Sequence, residues 1–129
     1  MINILLIEPD VLLADTYRIA LGAAGYQVRL ATNAQSAICS ADEVAPDIII
    51  LEIHLVRHNG FEFLYELRSY TDWQRIPVIM LSYTPAAEFA DCWRSLHTEL
   101  GVHAYLYKPQ TNLHRLLQTV RELSIAMEV

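Results

Sequence analysis

The chain has 129 residues, of which 53% are hydrophobic and 19% charged, and its formal net charge is −6 at pH 7. This length is typical of one domain, and we expect residues 1–129 to form it. The negative charge argues against a nucleic-acid or anionic-membrane surface. No apolar run approaches the length of a membrane span. The N-terminus lacks the basic segment that opens a signal peptide, so we expect a cytoplasmic protein.

Short apolar runs and amphipathic segments alternate five times along the chain. The predicted strands are residues 2–7, 27–31, 48–51, 77–82 and 103–107. The predicted helices are residues 10–23, 33–45, 60–70, 85–100 and 111–127. Alternation of this kind predicts a parallel sheet covered by helices on both faces.

Helical spacing predicts which side chains of each helix face the sheet. For the first three helices the predicted inward positions are Leu12, Thr16, Ile19, Ala20 and Ala23; Ala34, Ala37, Ile38 and Ala41; and Phe61, Leu64, Tyr65 and Arg68. For the last two they are Phe89, Trp93, Leu96 and Leu100; and Leu113, Leu116, Leu117, Val120 and Leu123. We interpret Cys39 and Cys92 as small buried residues in a reducing compartment; a disulfide between them stays open, but no feature of the sequence supports it.

Four predicted strands end at a polar or charged residue: Glu8, Glu52, Ser82 and Lys108. The carboxyl ends of parallel strands lie along one edge of a sheet, where the topology opens a crevice for ligands. Carboxylates suit a divalent cation, whereas an ammonium and a hydroxyl suit anionic oxygens. The pattern therefore predicts a small charged pocket for a phosphoryl group or a divalent cation.

Four segments resemble the receiver domains of two-component response regulators: ILLIEPD (4–10), PDIIILEIHL (46–55) with Asn59-Gly60, PVIMLSY (77–83) and AYLYKP (104–109). The resemblance covers essentially the whole chain, with the motifs in the right order. It implies a flavodoxin-like, doubly wound sheet of five parallel strands in the order 2-1-3-4-5. It also implies a phosphorelay module whose partner is a histidine kinase, an output domain or another signalling protein.

The resemblance assigns Glu52 to the position of the aspartate that accepts the phosphoryl group. Ser82 and Lys108 match the residues that bind the phosphoryl oxygens, and Tyr105 matches an aromatic that changes rotamer. A purely structural role stays open for both residues. Ser82 would then be only a hydroxyl at the end of a strand, and Tyr105 an aromatic side chain of the core or of the sheet edge.

The resemblance also implies a magnesium site, formed by Glu8, Glu52 and the backbone carbonyl of His54. Pro9 stands where the family has the second acid of a metal-binding pair, so we expect weak Mg²⁺ binding at most. Asp10 adds to the acidic pocket, but we interpret it first as the N-cap of the first helix.

Glu52 is one methylene longer than aspartate, about 1.5 Å, and displacement of an attacking group by that much can slow transfer about 10²-fold. We therefore expect an atypical, phosphorylation-independent receiver that acts through protein–protein contacts and is not an enzyme. We expect Glu52 to form a structural salt bridge with Lys108 rather than to accept a phosphoryl group.

Two other functions remain open. The first is a working phosphoacceptor with Mg²⁺-dependent transfer, and the second is a cofactor-binding flavodoxin-like domain. Against the second, Arg57 replaces the glycine of a cobalamin-type Asp-x-His-x-x-Gly motif, and the turn after the first strand lacks a phosphate loop.

The surface by which receivers commonly meet partners also departs from the family pattern. Val56, Tyr83 and Gln110 replace a proline, an alanine and an aromatic residue, respectively, and the segment 82–101 is longer by about one helical turn, or ~4 residues. A homodimer through the fourth helix, fifth strand and fifth helix is a weak expectation.

Overall fold

The structure is a computed structural model that describes residues 1–55 and 59–127. Its five strands are β1 (Asn3–Ile7), β2 (Gln27–Ala31), β3 (Ile48–Leu51), β4 (Val78–Ser82) and β5 (Val102–Tyr107). They pair in parallel in the order β2-β1-β3-β4-β5. This is the predicted doubly wound, flavodoxin-like sheet. Val56, one of the predicted departures, lies outside the described residues.

Helices cover both faces of the sheet because β1, β3 and β4 carry apolar side chains on each face. The helices are α1 (Val11–Ala23), α2 (Ala34–Glu43), α3 (Gly60–Ser69), α4 (Trp93–Thr98) and α5 (Leu113–Met127). Helices α1 and α5 pack on the face that carries Ile4 and Ile50, and α2, α3 and α4 pack on the face that carries Leu5 and Ile49. Within the described residues, no helix combines the length and apolar character needed to cross a bilayer.

Side-chain caps explain where the helices near the strand ends begin. The Asp10 carboxylate accepts hydrogen bonds from the backbone N–H groups of Leu12 and Leu13, at 3.0 and 3.2 Å, as the predicted N-cap of α1. Asn59 caps α3 in the same way, through a 2.8 Å bond from the N–H of Glu62. Each cap satisfies backbone donors that a helix leaves unpaired at its first turn.

The predicted inward face is wrong for α1 and partly wrong for α3. In α1, Leu12 and Ile19 are exposed, and the buried residues are Ala14, Tyr17 and Leu21. In α3, Leu64 is buried as predicted, but Tyr65 is exposed and Phe63 and Leu67 face the core. Both helices carry two apolar stripes, and only contact with the sheet selects one of them. In α2 and α5 most of the predicted inward residues are buried, but Ile38 and Leu117 are half-buried and Leu113 is 39% exposed.

The fourth helix is shorter than predicted. Residues Ala86–Cys92 form a 3-10 helix in which no residue is buried, and the α-helix runs only from Trp93 to Thr98. Only Phe89 of this segment packs on the core, and one partly buried side chain does little to offset the cost of forming a regular α-helix. Leu96 and Leu100 are buried as predicted, whereas Phe89 is half-buried and Trp93 is 36% exposed.

The interpretation of the two cysteines as buried residues is also wrong. Cys39 and Cys92 are both free and exposed. Cys39 lies on the outer side of α2, and Cys92 lies at the end of the 3-10 helix, in which no residue is buried.

Candidate functional site

The predicted convergence of polar strand ends is present at one edge of the sheet. Strand pairing sets Ile7 beside Leu51 and Ser82 beside Tyr107, so the residues that follow or end these strands are neighbours. Glu8, Glu52, Ser82 and Lys108 are all buried, with exposed fractions of 2, 4, 0 and 8%. Four residues far apart in sequence thus form a single polar cluster at the end of an apolar core.

The centre of this cluster is the ammonium group of Lys108. Its Nζ atom lies 2.5 Å from Glu8 Oε1 and 2.6 Å from Glu52 Oε1. The predicted pair of Glu52 and Lys108 is therefore present in the geometry. Glu8 shares the same ammonium, so the lysine bridges two carboxylates.

The second oxygen of each carboxylate is bonded to a backbone N–H. Glu8 Oε2 accepts a 3.1 Å bond from Asp10, and Glu52 Oε2 accepts a 3.2 Å bond from His54. All four carboxylate oxygens therefore have a partner, as buried polar groups require. The backbone N–H of His54 contacts this site. The family resemblance instead implied the backbone carbonyl of His54, as a magnesium ligand.

One ammonium between two carboxylates leaves the cluster with one excess negative charge when every group is ionised. Burial raises the pKa of Glu8, although its bonds to Lys108 and to the Asp10 N–H oppose the rise. Burial alone would lower the pKa of Lys108, but its bonds to Glu52 and Glu8 outweigh that effect and raise it. Lys108 is thus held as a cation, and Glu8 is the carboxyl group that takes up a proton more readily than usual.

Comparison with known proteins decides the family of this chain. The model of the response regulator receiver domain matches residues 4–121. The chain belongs to the receiver family. Receivers are modules of two-component signalling.

Relatives and solved structures agree with this assignment. The chain is 34% identical over 109 residues to the KDP operon transcriptional regulatory protein KdpE of Escherichia coli, covering 84% of this chain and 45% of that protein. A two-component response regulator from Clostridium difficile matches with a TM-score of 0.86 and 26% identity over the whole of both chains. The chemotaxis response regulator CheY4 of Vibrio cholerae matches in fold, with a TM-score of 0.83 and 24% identity over 95% of this chain and 98% of that one. The chain spans about half the length of the curated relatives it matches first.

The residues of this receiver do not fit a bound Mg²⁺ in the arrangement described. Magnesium demands near-octahedral oxygen coordination, but the oxygens of Glu8 and Glu52 are bonded to Lys108 and to backbone N–H groups. The ammonium occupies the position between the carboxylates, and Pro9 supplies no carboxylate in its place. Among the described residues, no group of three or more His, Cys, Asp or Glu side chains is arranged to hold a metal ion.

An aromatic ring covers the ammonium from the solvent side. The centroid of the Tyr83 ring lies 4.7 Å from Lys108 Nζ, within the range of a cation–π contact. Tyr83 is itself 56% exposed. Sequence reasoning noted Tyr83 as a departure from the family pattern, but nothing in the sequence shows that its ring reaches the lysine.

Thr84 joins three of the predicted site residues, and sequence reasoning missed it. The N–H of Thr84 donates to Ser82 Oγ at 3.3 Å, and its hydroxyl lies 2.5 Å from Nε2 of His54. Its carbonyl accepts a hydrogen bond from the hydroxyl of Tyr105. A threonine two residues after the strand-end serine is the signal that could have identified it.

Tyr105 points toward this network and packs beside Phe89, with 5.7 Å between the ring centroids. Burial raises the pKa of Tyr105 to about 12, against the lowering effect of a hydrogen bond with Ser82. The phenol thus remains protonated and can donate at neutral pH. Phe89 also packs on Phe61 at the start of α3, so the aromatic contacts connect the 3-10 helix, β5 and α3.

Proposed function

We propose that this receiver acts as a phosphorylation-independent interaction module, a pseudo-receiver whose site is held closed by Lys108. The observation that supports the proposal is the position of Lys108 Nζ, 2.5 and 2.6 Å from oxygens of Glu8 and Glu52. In this reading the buried ion cluster maintains one conformation of the strand ends without a phosphoryl group.

The first argument concerns the availability of the attacking atom. Glu52 would need a free carboxylate oxygen in line with a phosphorus atom, but Oε1 is bonded to Lys108 and Oε2 to the His54 N–H. Freeing Oε1 would separate a buried ion pair, which costs several kcal/mol when one charge is left without its partner, about 3–5. The additional methylene of Glu52 accounts for this closed arrangement, because it extends the carboxylate toward the lysine.

The second argument concerns the metal ion. Phosphoryl transfer depends on bound Mg²⁺ to neutralise the charge that develops on the phosphoryl oxygens. Pro9 supplies no ligand, and the carboxylates of Glu8 and Glu52 have no unbonded oxygen in the described arrangement. We infer that Mg²⁺ binds weakly, and that Glu8, Glu52 and His54 do not act as an efficient metal site.

The partner would be a protein. Receivers work with histidine kinases and output domains, and we propose that residues 1–129 form one receiver domain that meets such a partner. The curated relatives that the chain matches first are about twice as long as this chain, so an output domain in the complete protein belongs to this proposal. The homodimer through α4, β5 and α5 stays a prediction without support from the contacts described.

A small phosphodonor tests the central claim. The protein is incubated with acetyl phosphate and Mg²⁺, and its intact mass is then measured by mass spectrometry. We expect no phosphoryl adduct on the wild-type chain. An adduct that disappears in Glu52→Gln would overturn the proposal in favour of a working phosphoacceptor.

A variant that is expected to gain phosphorylation provides a positive result in the same assay. Pro9→Asp with Glu52→Asp restores the two acidic side chains that the family pattern carries, and it removes the reach of Glu52 toward Lys108. We expect this double variant to form an adduct under conditions in which the wild type does not. The single variant Glu43→Gln, which alters an exposed ion pair on α2, serves as the control for a general effect of changing an acidic residue.

A further inference from the structure

The opposite edge of the sheet, where β4 and β5 begin, contains a second polar site. A cavity of about 190 Å³ is lined there by Arg68, Arg75, His97 and His103, together with Gln74, Ile76, Pro77 and Gly101. All four titratable side chains that line it are basic. Strands of five residues separate this cavity from the Lys108 cluster by about 16 Å.

The guanidinium of Arg68 is held in a fixed position at the wall of this cavity. Its Nε, Nη1 and Nη2 atoms donate to the backbone carbonyls of Leu100, Trp73 and Ile76, at 3.0, 2.6 and 2.6 Å. It also lies against Gly101, where a Cβ atom would come within 2.5 Å of Nη2. Three of its five N–H groups are used in these bonds, so two remain for another acceptor.

The imidazole of His97 is likewise held in place. Its Nδ1 lies 3.0 Å from the carbonyl of Val102 and therefore carries the proton that it donates. The ring stacks on Trp93, with 6.1 Å between the centroids. The other ring nitrogen, Nε2, is held in a fixed position by the same contacts. It can accept a hydrogen bond from a protonated ligand oxygen, or donate one when the ring is protonated.

No carboxylate lines the cavity, and among the described residues neither Arg68 nor Arg75 lies in a salt bridge. Burial lowers the pKa of Arg68, and no neighbouring acid opposes that effect. A half-buried cation without a counter-charge is unusual in a chain whose net charge is −6. Arg75 and His103 are exposed at the rim, where Arg75 adds a guanidinium group on a long side chain.

We propose that this cavity binds a small oxyanion of the phosphate class. Guanidinium groups pair with phosphate oxygens through parallel N–H bonds, and a hydrogen phosphate also offers the O–H that a neutral His97 Nε2 accepts. The volume of about 190 Å³ accommodates a phosphate group. Arg68 and His97 are already held in place by their hydrogen bonds, so their ordering costs little entropy on binding.

Titration with inorganic phosphate, followed by two-dimensional NMR of the labelled protein, tests this proposal. We expect saturable shifts of the Arg68 Nε–H and of the amides of Gln74 and His103, without comparable shifts at Lys108. A parallel titration with sodium chloride at equal ionic strength separates binding from screening. Non-saturating shifts, or shifts centred on Lys108, would overturn the proposal.

Variants of the basic residues make the test specific. Arg75→Gln should weaken phosphate binding by roughly tenfold, the loss of one charge-assisted contact, while Arg94→Gln on α4, which does not line the cavity, should leave it unchanged. Equal effects of the two variants would assign the binding to general surface charge and refute the site. Arg68 also donates hydrogen bonds to three backbone carbonyls. The conservative variant Arg68→Lys is therefore used at this position, and its unfolding midpoint is measured alongside phosphate binding.

The source of the phosphate is addressed in the same titration. Phosphoserine and inorganic phosphate are compared at equal ionic strength and pH. Tighter binding of phosphoserine would indicate the phosphate monoester of a modified protein, and tighter binding of inorganic phosphate would indicate a free anion; either result supports the site. The result does not depend on whether Glu52 accepts a phosphoryl group.

Discussion

The ring of Tyr83 lies over the ammonium of Lys108, with 4.7 Å between the ring centroid and Nζ. Two of the three N–H directions of that ammonium point to Glu8 and Glu52. The ring lies beside the remaining side of the ammonium; Lys108 is 8% exposed, whereas Tyr83 is 56% exposed. We therefore expect Tyr83 to shield Lys108 from solvent.

Lys108 is the single lysine of the chain, which makes this shielding measurable. Tyr83→Ala should increase the rate at which an amine-specific acylating reagent modifies Lys108, because it removes the ring from the solvent side of Nζ. Tyr83→Phe keeps the ring and should label like the wild type. Peptide mapping gives the rate, with the N-terminal amine as the internal reference. Equal rates in the alanine and phenylalanine variants would show that the ring does not shield the lysine.

Removing the central ammonium should destabilise the protein strongly. Lys108→Met leaves two carboxylates buried without a cation, and we expect it to lower the free energy of unfolding by about 3–5 kcal/mol. Urea denaturation measures the change.

The double variant Lys108→Met with Glu52→Gln separates the pair from the individual residues. We expect it to be more stable than Lys108→Met alone, because one of the two unpaired charges is gone. Additive effects of the two substitutions would mean that Glu52 and Lys108 are not coupled in solution. Arg18→Met, which breaks an exposed ion pair with Asp15, is the matched control and should change stability by less than about 1 kcal/mol.

The raised pKa of Glu8 predicts how stability depends on pH. A carboxyl group with a higher pKa in the folded state binds its proton more tightly there, so its contribution is complete below the unfolded value of about 4.5. That contribution is lost as the pH rises through the higher folded pKa. We therefore expect Glu8→Gln, which cannot ionise, to gain stability relative to the wild type as the pH increases from 4.5 to 7.

Urea denaturation of both proteins across this range gives the comparison. Glu122→Gln, at an exposed position of α5, is the control and should show no such trend. A difference between Glu8→Gln and wild type that is constant with pH would contradict the raised pKa.

Magnesium binding should respond to the residue at position 9. The wild type should show no saturation with Mg²⁺ below about 1 mM, because the carboxylates are engaged and octahedral coordination is not available. Pro9→Asp adds a carboxylate beside Glu8 and should tighten binding measurably. Amide shifts around Glu52 during an NMR titration report the affinity. Tight binding to the wild type would show that Mg²⁺ displaces Lys108 from its carboxylates.

Much of the fold could be predicted because its signals are local. Apolar runs bounded by breakers predicted the five strands, and the capping residue Asp10 predicted the start of the first helix. The inward faces of α1 and α3 could not be predicted in the same way. Leu12 and Tyr65 are as apolar as many core residues, and their exposure follows from how each helix sits on the sheet.

The candidate site could also be predicted only in part from the sequence. The type and order of Glu8, Glu52, Ser82 and Lys108 at strand ends are properties of the sequence, and a parallel sheet necessarily brings them to one edge. Their bonding is not such a property, because it depends on distances of 2.5 to 3.2 Å between atoms of residues that follow three separate strands, β1, β3 and β5. Only the tertiary structure decides that Glu8 shares the ammonium with Glu52.

The sequence alone determined the alternation of strands and helices, the polar residues at the strand ends and the two departures at Pro9 and Glu52. Periodicity and residue type are local properties, so they can be read before the chain is folded. The tertiary structure decided the sharing of Lys108 by two carboxylates, its cover by Tyr83 and the basic cavity around Arg68. These features depend on long-range packing, which sets distances between side chains that the linear order leaves open.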